Sequence, residues 1–90
     1  MYAFINTVGD DEQVTVASTM TKCEQIAMEF INDYINHWEG FDKLDGAALL
    51  RQTMKECDAE SSMDLFGEII EQRTEFVYIR ICPVSILADA

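Results

Sequence analysis

Asp64, Glu68, Glu71 and Glu75 follow one another at intervals of four, three and four residues. On a helix, positions three and four apart share a face, with neighbouring Cβ atoms about 5–6 Å apart. A helical segment here would therefore display four carboxylates as one row. Glu29 and Asp33 repeat the four-residue interval upstream, and Glu56 and Glu60 repeat it again. The chemistry open to such rows is electrostatic. Like charges at this spacing destabilise a helix by a few tenths of a kcal/mol per pair. Lys22 and Arg73 are the nearest cations that could offset them on their respective segments.

The other reactive side chains form no set. His37 is the one histidine, beside Trp38 at the edge of an apolar stripe, so no His pair at metal spacing exists. Its bland role is that of a histidine near a helix C-terminus. Cys23, Cys57 and Cys82 are odd in number and far apart, which argues against both a disulfide framework and a zinc site, and for a reducing compartment. Buried small hydrophobes are the simplest reading of them. The four glycines are isolated, so no phosphate-cradling loop and no Gly-x-Ser-x-Gly elbow are present. Asp42-Lys43-Leu44-Asp45-Gly46 lacks the acidic ladder of an EF-hand, and Asp10-Asp11-Glu12 offers only weak hard-cation binding. The expectation is a protein with no catalytic residues, no metal and no cofactor.

Charge is the dominant feature of the composition. Seventeen Asp and Glu against six Lys and Arg leave a net charge of −11 over 90 residues. Solubility alone is served by a magnitude of about 2–8 in a small domain. With 49% hydrophobic residues and one proline, the chain has material for a core and is not a disordered acidic tail. The length suits one compact domain over residues 1–90, with a radius of gyration of roughly 12 Å. An anionic surface repels phosphate, so direct binding to nucleic acid or an anionic membrane is not expected. The N-terminus has no signal-peptide pattern, and no apolar run reaches the ~18 residues of a membrane helix. A cytoplasmic protein is expected, in the host cytoplasm if the chain is viral.

The elements that would carry these residues can be read from periodicity. Residues 2–8 predict a strand, with Tyr2, Phe4 and Asn6 on one face and Ala3, Ile5 and Thr7 on the other. Gly9 to Glu12 is turn material, and Val14 to Val16 a second strand, giving a hairpin with an acidic tip. Thr21 and Glu24 have capping-box spacing. The helix that follows buries Cys23, Ile26, Ala27, Phe30, Ile31, Tyr34 and Trp38, and Gly40 would end it. Met28 and Ile35 lie beside this stripe, widen the apolar face and could touch a neighbouring element or a second chain. A second helix, residues 46–57, would be capped by Asp42 or Asp45 and bury Leu49, Leu50, Met54 and Cys57. Residues 58–62 break the pattern. For residues 63–72, the 100° period groups Met63, Leu65, Phe66, Ile69 and Ile70 against Asp64, Glu68 and Glu71, which favours a helix despite Gly67. The competing hairpin of 66–72 with 75–82 would need Gln72-Arg73-Thr74 as its turn, without Gly, Asn or Asp. Residues 76–82 read as a strand, apolar on both sides and hence central, until Pro83.

The order β-β-α-α-α-β implies an α+β domain: a small antiparallel sheet, made of the N-terminal hairpin and the C-terminal strand, with two to three helices on one face. Its expected function is that of an acidic interaction protein. The expected partner is a basic, nucleic-acid-binding protein, met through Asp64, Glu68, Glu71, Glu75, Glu29 and Asp33. Rows of carboxylates on a rigid scaffold can occupy a cleft built for phosphates. The alternative is a structural or assembly protein, a homodimer through Met28, Ile35 and a sheet edge, whose acidity is incidental. In size and charge, though in no residue motif, the chain resembles phage-encoded anti-restriction and anti-CRISPR inhibitors, and immunity proteins that plug a basic nuclease site. That resemblance implies an inhibitor and transfers no site residue.

Overall fold

A computed structural model of the protein describes residues 1–85. The N-terminal strands are β1 (Tyr2–Val8) and β2 (Asp11–Ala17), joined by a two-residue turn. Gly9 stands in the first central position at φ +61°, the place that a primed hairpin turn reserves for glycine. Three helices follow, α1 (Met20–Asn36), α2 (Ala47–Lys55) and α3 (Ala59–Ile70), with a short 3₁₀ turn at Phe41–Lys43 between the first two. The last strand is β3 (Val77–Pro83). All pairing is antiparallel, in the order β2-β1-β3. The fold is the α+β arrangement that the element order implies.

The registers sort the sheet's side chains onto two faces, because directly paired residues point the same way. Phe4, Asn6, Ala17, Val77, Ile79 and Ile81 face the helices. Ile5, Val14, Val16, Tyr78 and Arg80 face away, and Val14, Val16 and Tyr78 are exposed. One buried cluster joins Ile31, Ile35, Phe41, Leu50, Phe66 and Ile69; another joins Phe4, Ala17, Cys23 and Ala27 beneath the sheet. Phe30 packs against both, 5.6 Å from the Phe4 ring and 6.4 Å from Phe66. The result is a flat slab, 52 × 31 × 17 Å with a radius of gyration of 14.0 Å, wider than a sphere of this length.

Several local expectations are corrected. β3 is an edge strand, and β1 takes the central place because it alone is paired on both sides. Helix α1 begins two residues earlier than the Thr21 spacing suggests: Thr19 is the cap, and its hydroxyl accepts from the Lys22 N–H at 3.2 Å. It ends at Asn36, ahead of Gly40. Ile35 is 2% exposed and packs in the core with residues of neighbouring elements, as one of its two expected roles has it, so it is not available to a second chain. Neither Asp42 nor Asp45 caps α2. Gly46 does, at φ +89°, where a β-carbon would meet Ile69 at 3.4 Å. Leu49 is 57% exposed, and Thr53 takes the inward place three residues beyond Leu50. Its hydroxyl donates to the Leu49 carbonyl at 2.8 Å, which makes burial tolerable. Cys57 is exposed at φ +58° and ends α2 rather than lining the core. Residues 58–62 are the cap and first turn of α3, not a break.

Candidate acidic interface

Helix α3 sets the geometry of the carboxylate row. Asp58 starts it by accepting the Ser61 N–H at 3.1 Å. That backbone N–H, and then the Ser61 hydroxyl, hold the Asp58 carboxyl below the usual carboxylate range. Ala59, Ser62, Phe66, Ile69 and Ile70 form the buried face. At 100° per residue, Glu60, Asp64, Glu68 and Glu71 must then point outward, and all four are exposed. Helix α3 contains no Lys or Arg. Successive acids are four, four and three residues apart, giving three like-charge neighbour pairs. Among the described residues, none of these four makes an ion pair.

Asp64, Glu68 and Glu71 are therefore brought together as the spacing predicts, with Glu71 as the cap residue at the helix end. Glu75 lies beyond the helix and does different work. The Tyr34 hydroxyl donates to Glu75 Oε1, and Arg73 Nη1 donates to the same hydroxyl at 2.9 Å. The Arg73 guanidinium lies 5.0 Å from the Trp38 ring centroid and 5.4 Å from that of Tyr34. Burial, followed by the bond to Glu75, pushes the Tyr34 hydroxyl up to about 12. Arg73 is thus committed to a clasp between α1 and the α3–β3 turn, and it does not neutralise the row.

Between the flank of α3 and β3 runs a groove of about 670 Å³, bordered by Met63, Asp64, Gly67, Glu71 and Glu75 on one side and Val77 and Ile79 on the other. Through Met63 and Asp64 it adjoins a smaller hollow of about 340 Å³ bordered by Met20, Glu24, Glu60 and Ile81. The floor includes Met63, Phe66 and Ile70, and the rim carries five carboxylates and one cation, Arg73, which lies 3.8 Å from Glu75 Oε1. Glu24 and Glu60 were not among the residues expected here. Glu60 reads as the partner of Glu56 when residues 58–62 are taken as a break; its interval of four to Asp64 is the signal that places it on α3.

Glu29 and Asp33 are exposed on α1 but border other surroundings. Glu29 lines a separate groove of about 500 Å³ with Glu24, Met28, Met54 and Cys57. Asp33 adjoins His37, whose Nδ1 lies 2.8 Å from the Asp33 carbonyl oxygen and 3.7 Å from its carboxylate. His37 lines none of these three grooves. Asp42 is taken up by a two-point pair with Arg51, Nε to Oδ1 at 2.5 Å and Nη2 to Oδ2 at 3.2 Å. The three cysteines are free thiols; burial pushes that of Cys23 up, aided by Cys82 and Glu24. Among the described residues, no group of three or more His, Cys, Asp and Glu is placed to hold a metal ion, and no helix is long and apolar enough to cross a membrane. No protein-family model, curated protein or solved structure matches the chain.

Proposed function

We propose that this chain is a non-enzymatic acidic interaction protein, an inhibitor that occupies the nucleic-acid-binding surface of a basic partner. The observation that carries the reading is the outward row Glu60, Asp64, Glu68 and Glu71 on a helix with no compensating cation. Eleven residues of helix rise roughly 16 Å, so the row places one charge per roughly 5.5 Å. One strand of duplex DNA places one per ~3.4 Å. The row is a sparse likeness of a single phosphate strand, and Glu24 beside it raises the local density, while the charge of Glu75 is met by Arg73. Such a surface steers a basic partner into fast encounter at low salt, and the complex weakens as salt rises. Phage anti-restriction and anti-CRISPR inhibitors and nuclease immunity proteins act in this manner, and this is the class we assign.

The test is to replace Asp64, Glu68 and Glu71 together by lysine and to measure binding to the cationic protein that wild type retains from native cytosol until salt elutes it. Loss of binding is expected, and unchanged affinity disposes of the mimicry. Wild type alone should not bind duplex DNA. A second reading, a homodimer, is favoured by one feature: the helix-free face of the sheet leaves Val14, Val16 and Tyr78 exposed. A dimer whose sedimentation is indifferent to salt, with no cationic partner retained, would support it instead.

A further inference from the structure

The hydrogen bonds at both ends of β3 fix which of its backbone groups are unused. The Gly9 N–H donates to the Phe76 carbonyl at 2.8 Å, and the Val84 N–H donates to the Met1 carbonyl at 2.9 Å. Alternation along an antiparallel ladder then turns Tyr78, Arg80 and Cys82 toward β1. The N–H and C=O groups of Val77, Ile79 and Ile81 point the other way. No described residue accepts a hydrogen bond from those three N–H groups. Pro83 falls on the same outward side, where its lack of an N–H costs β1 nothing. The free edge opens beside the acidic groove, since the side chains of Val77, Ile79 and Ile81 border it.

Gly67 shapes the α3 wall of this groove. It lies within α3, where glycine is the least favourable residue after proline. Nothing stands within 4 Å of where its β-carbon would be, so packing inside the chain does not require it. It borders the groove midway between Asp64 and Glu71. A glycine there leaves the α3 wall low, with room for a second backbone.

We propose that this groove receives an extended cationic segment of the partner, which pairs with the free edge of β3 as a fourth strand. Main-chain bonds to Val77, Ile79 and Ile81 would supply the pairing, and alternate side chains would enter the groove. Lysine and arginine suit those positions. Their methylene stems match the floor of Met63 and Ile70, and their charged heads reach the rim carboxylates. The inference rests on the basic-partner reading above and specifies how that partner docks.

The probe is a blocked peptide of alternating lysine and valine, set against a copy N-methylated at every second amide so that charge is kept and edge pairing is lost. Wild type should bind the first peptide at low ionic strength and the second about tenfold or more weakly. On binding, amide exchange should slow at Val77, Ile79 and Ile81, and not at Tyr78, Arg80 and Cys82, which already pair with β1. Gly67→Leu should weaken binding by a similar factor while melting no earlier than wild type, because leucine favours the helix. Equal binding of the two peptides, or slowing elsewhere, overturns edge pairing and leaves the basic-partner reading standing. So does failure of both peptides when polylysine still binds. If polylysine also fails to bind, both readings fall.

Discussion

Replacing Glu68 by lysine asks whether the carboxylate row is held at the expense of the fold. Glu68 sits four residues after Asp64 and three before Glu71, all exposed on α3. The change removes two like-charge pairs and creates two opposite-charge pairs, each worth about 0.2–0.5 kcal/mol. The sum spans about 0.8–2 kcal/mol, and exposure to solvent favours the lower half, about 1 kcal/mol. The new cation also lies in the last turn of α3, where the helix dipole favours it. A domain of this length has a total stability of about 5–13 kcal/mol, so the gain is measurable, a rise in melting temperature of about 4–8 °C. Urea unfolding followed by circular dichroism at low salt reads it directly. At ~1 M salt, with a screening length of ~3 Å, most of the gain should vanish. Partner binding should fall in the same variant. Unchanged or lower stability, or a gain indifferent to salt, would refute the claim that these acids repel one another as a row.

Other changes probe the supports of the site. Phe66 is 1% exposed and packs edge-on against Phe30 and Tyr34, so Phe66→Ala should remove about 3–5 kcal/mol and lower the urea midpoint accordingly. Tyr34 ionises at about 12 in the folded protein against about 10 when free, so its stabilising contribution is whole below pH 10 and is lost as pH climbs to about 12. Stability measured across that window should fall less steeply in Tyr34→Phe, and identical slopes would dismiss the clasp. A thiol reagent should label exposed Cys57 first, and buried Cys23 only as fast as the protein unfolds; peptide mapping of the adducts settles the order.

The hairpin, α1 and the outward face of α3 could be read from sequence because their apolar and acidic residues keep the period of their elements. The start of α3 could not, because its inward residues there are Ala59 and Ser62, too small and too polar to mark a stripe, yet both are buried. Thr19 and Thr21 are equally good caps by residue type, and only the helix hydrogen bonds choose between them. The apolar character of residues 76–82 suggested a central strand, but one face of β3 owes it to Tyr78 and Cys82, which lie on the side no helix covers. The position of β3 at an edge is a fact of pairing, not of composition. Glu75 fits the row by interval alone. Its tie to Tyr34 spans 41 residues of chain and depends on the α3–β3 turn folding back onto α1.

On the proposed function, the carboxylates of α3 stand where a partner expects phosphates. The most direct measurement is displacement of a labelled duplex from the retained cationic protein, titrated with wild type and with the variant in which Asp64, Glu68 and Glu71 are lysine. Wild type should displace the duplex stoichiometrically, less so as salt is added, and the variant should displace none. Equal displacement by both proteins, or a ternary complex in which duplex and wild type bind side by side, would contradict the proposed function.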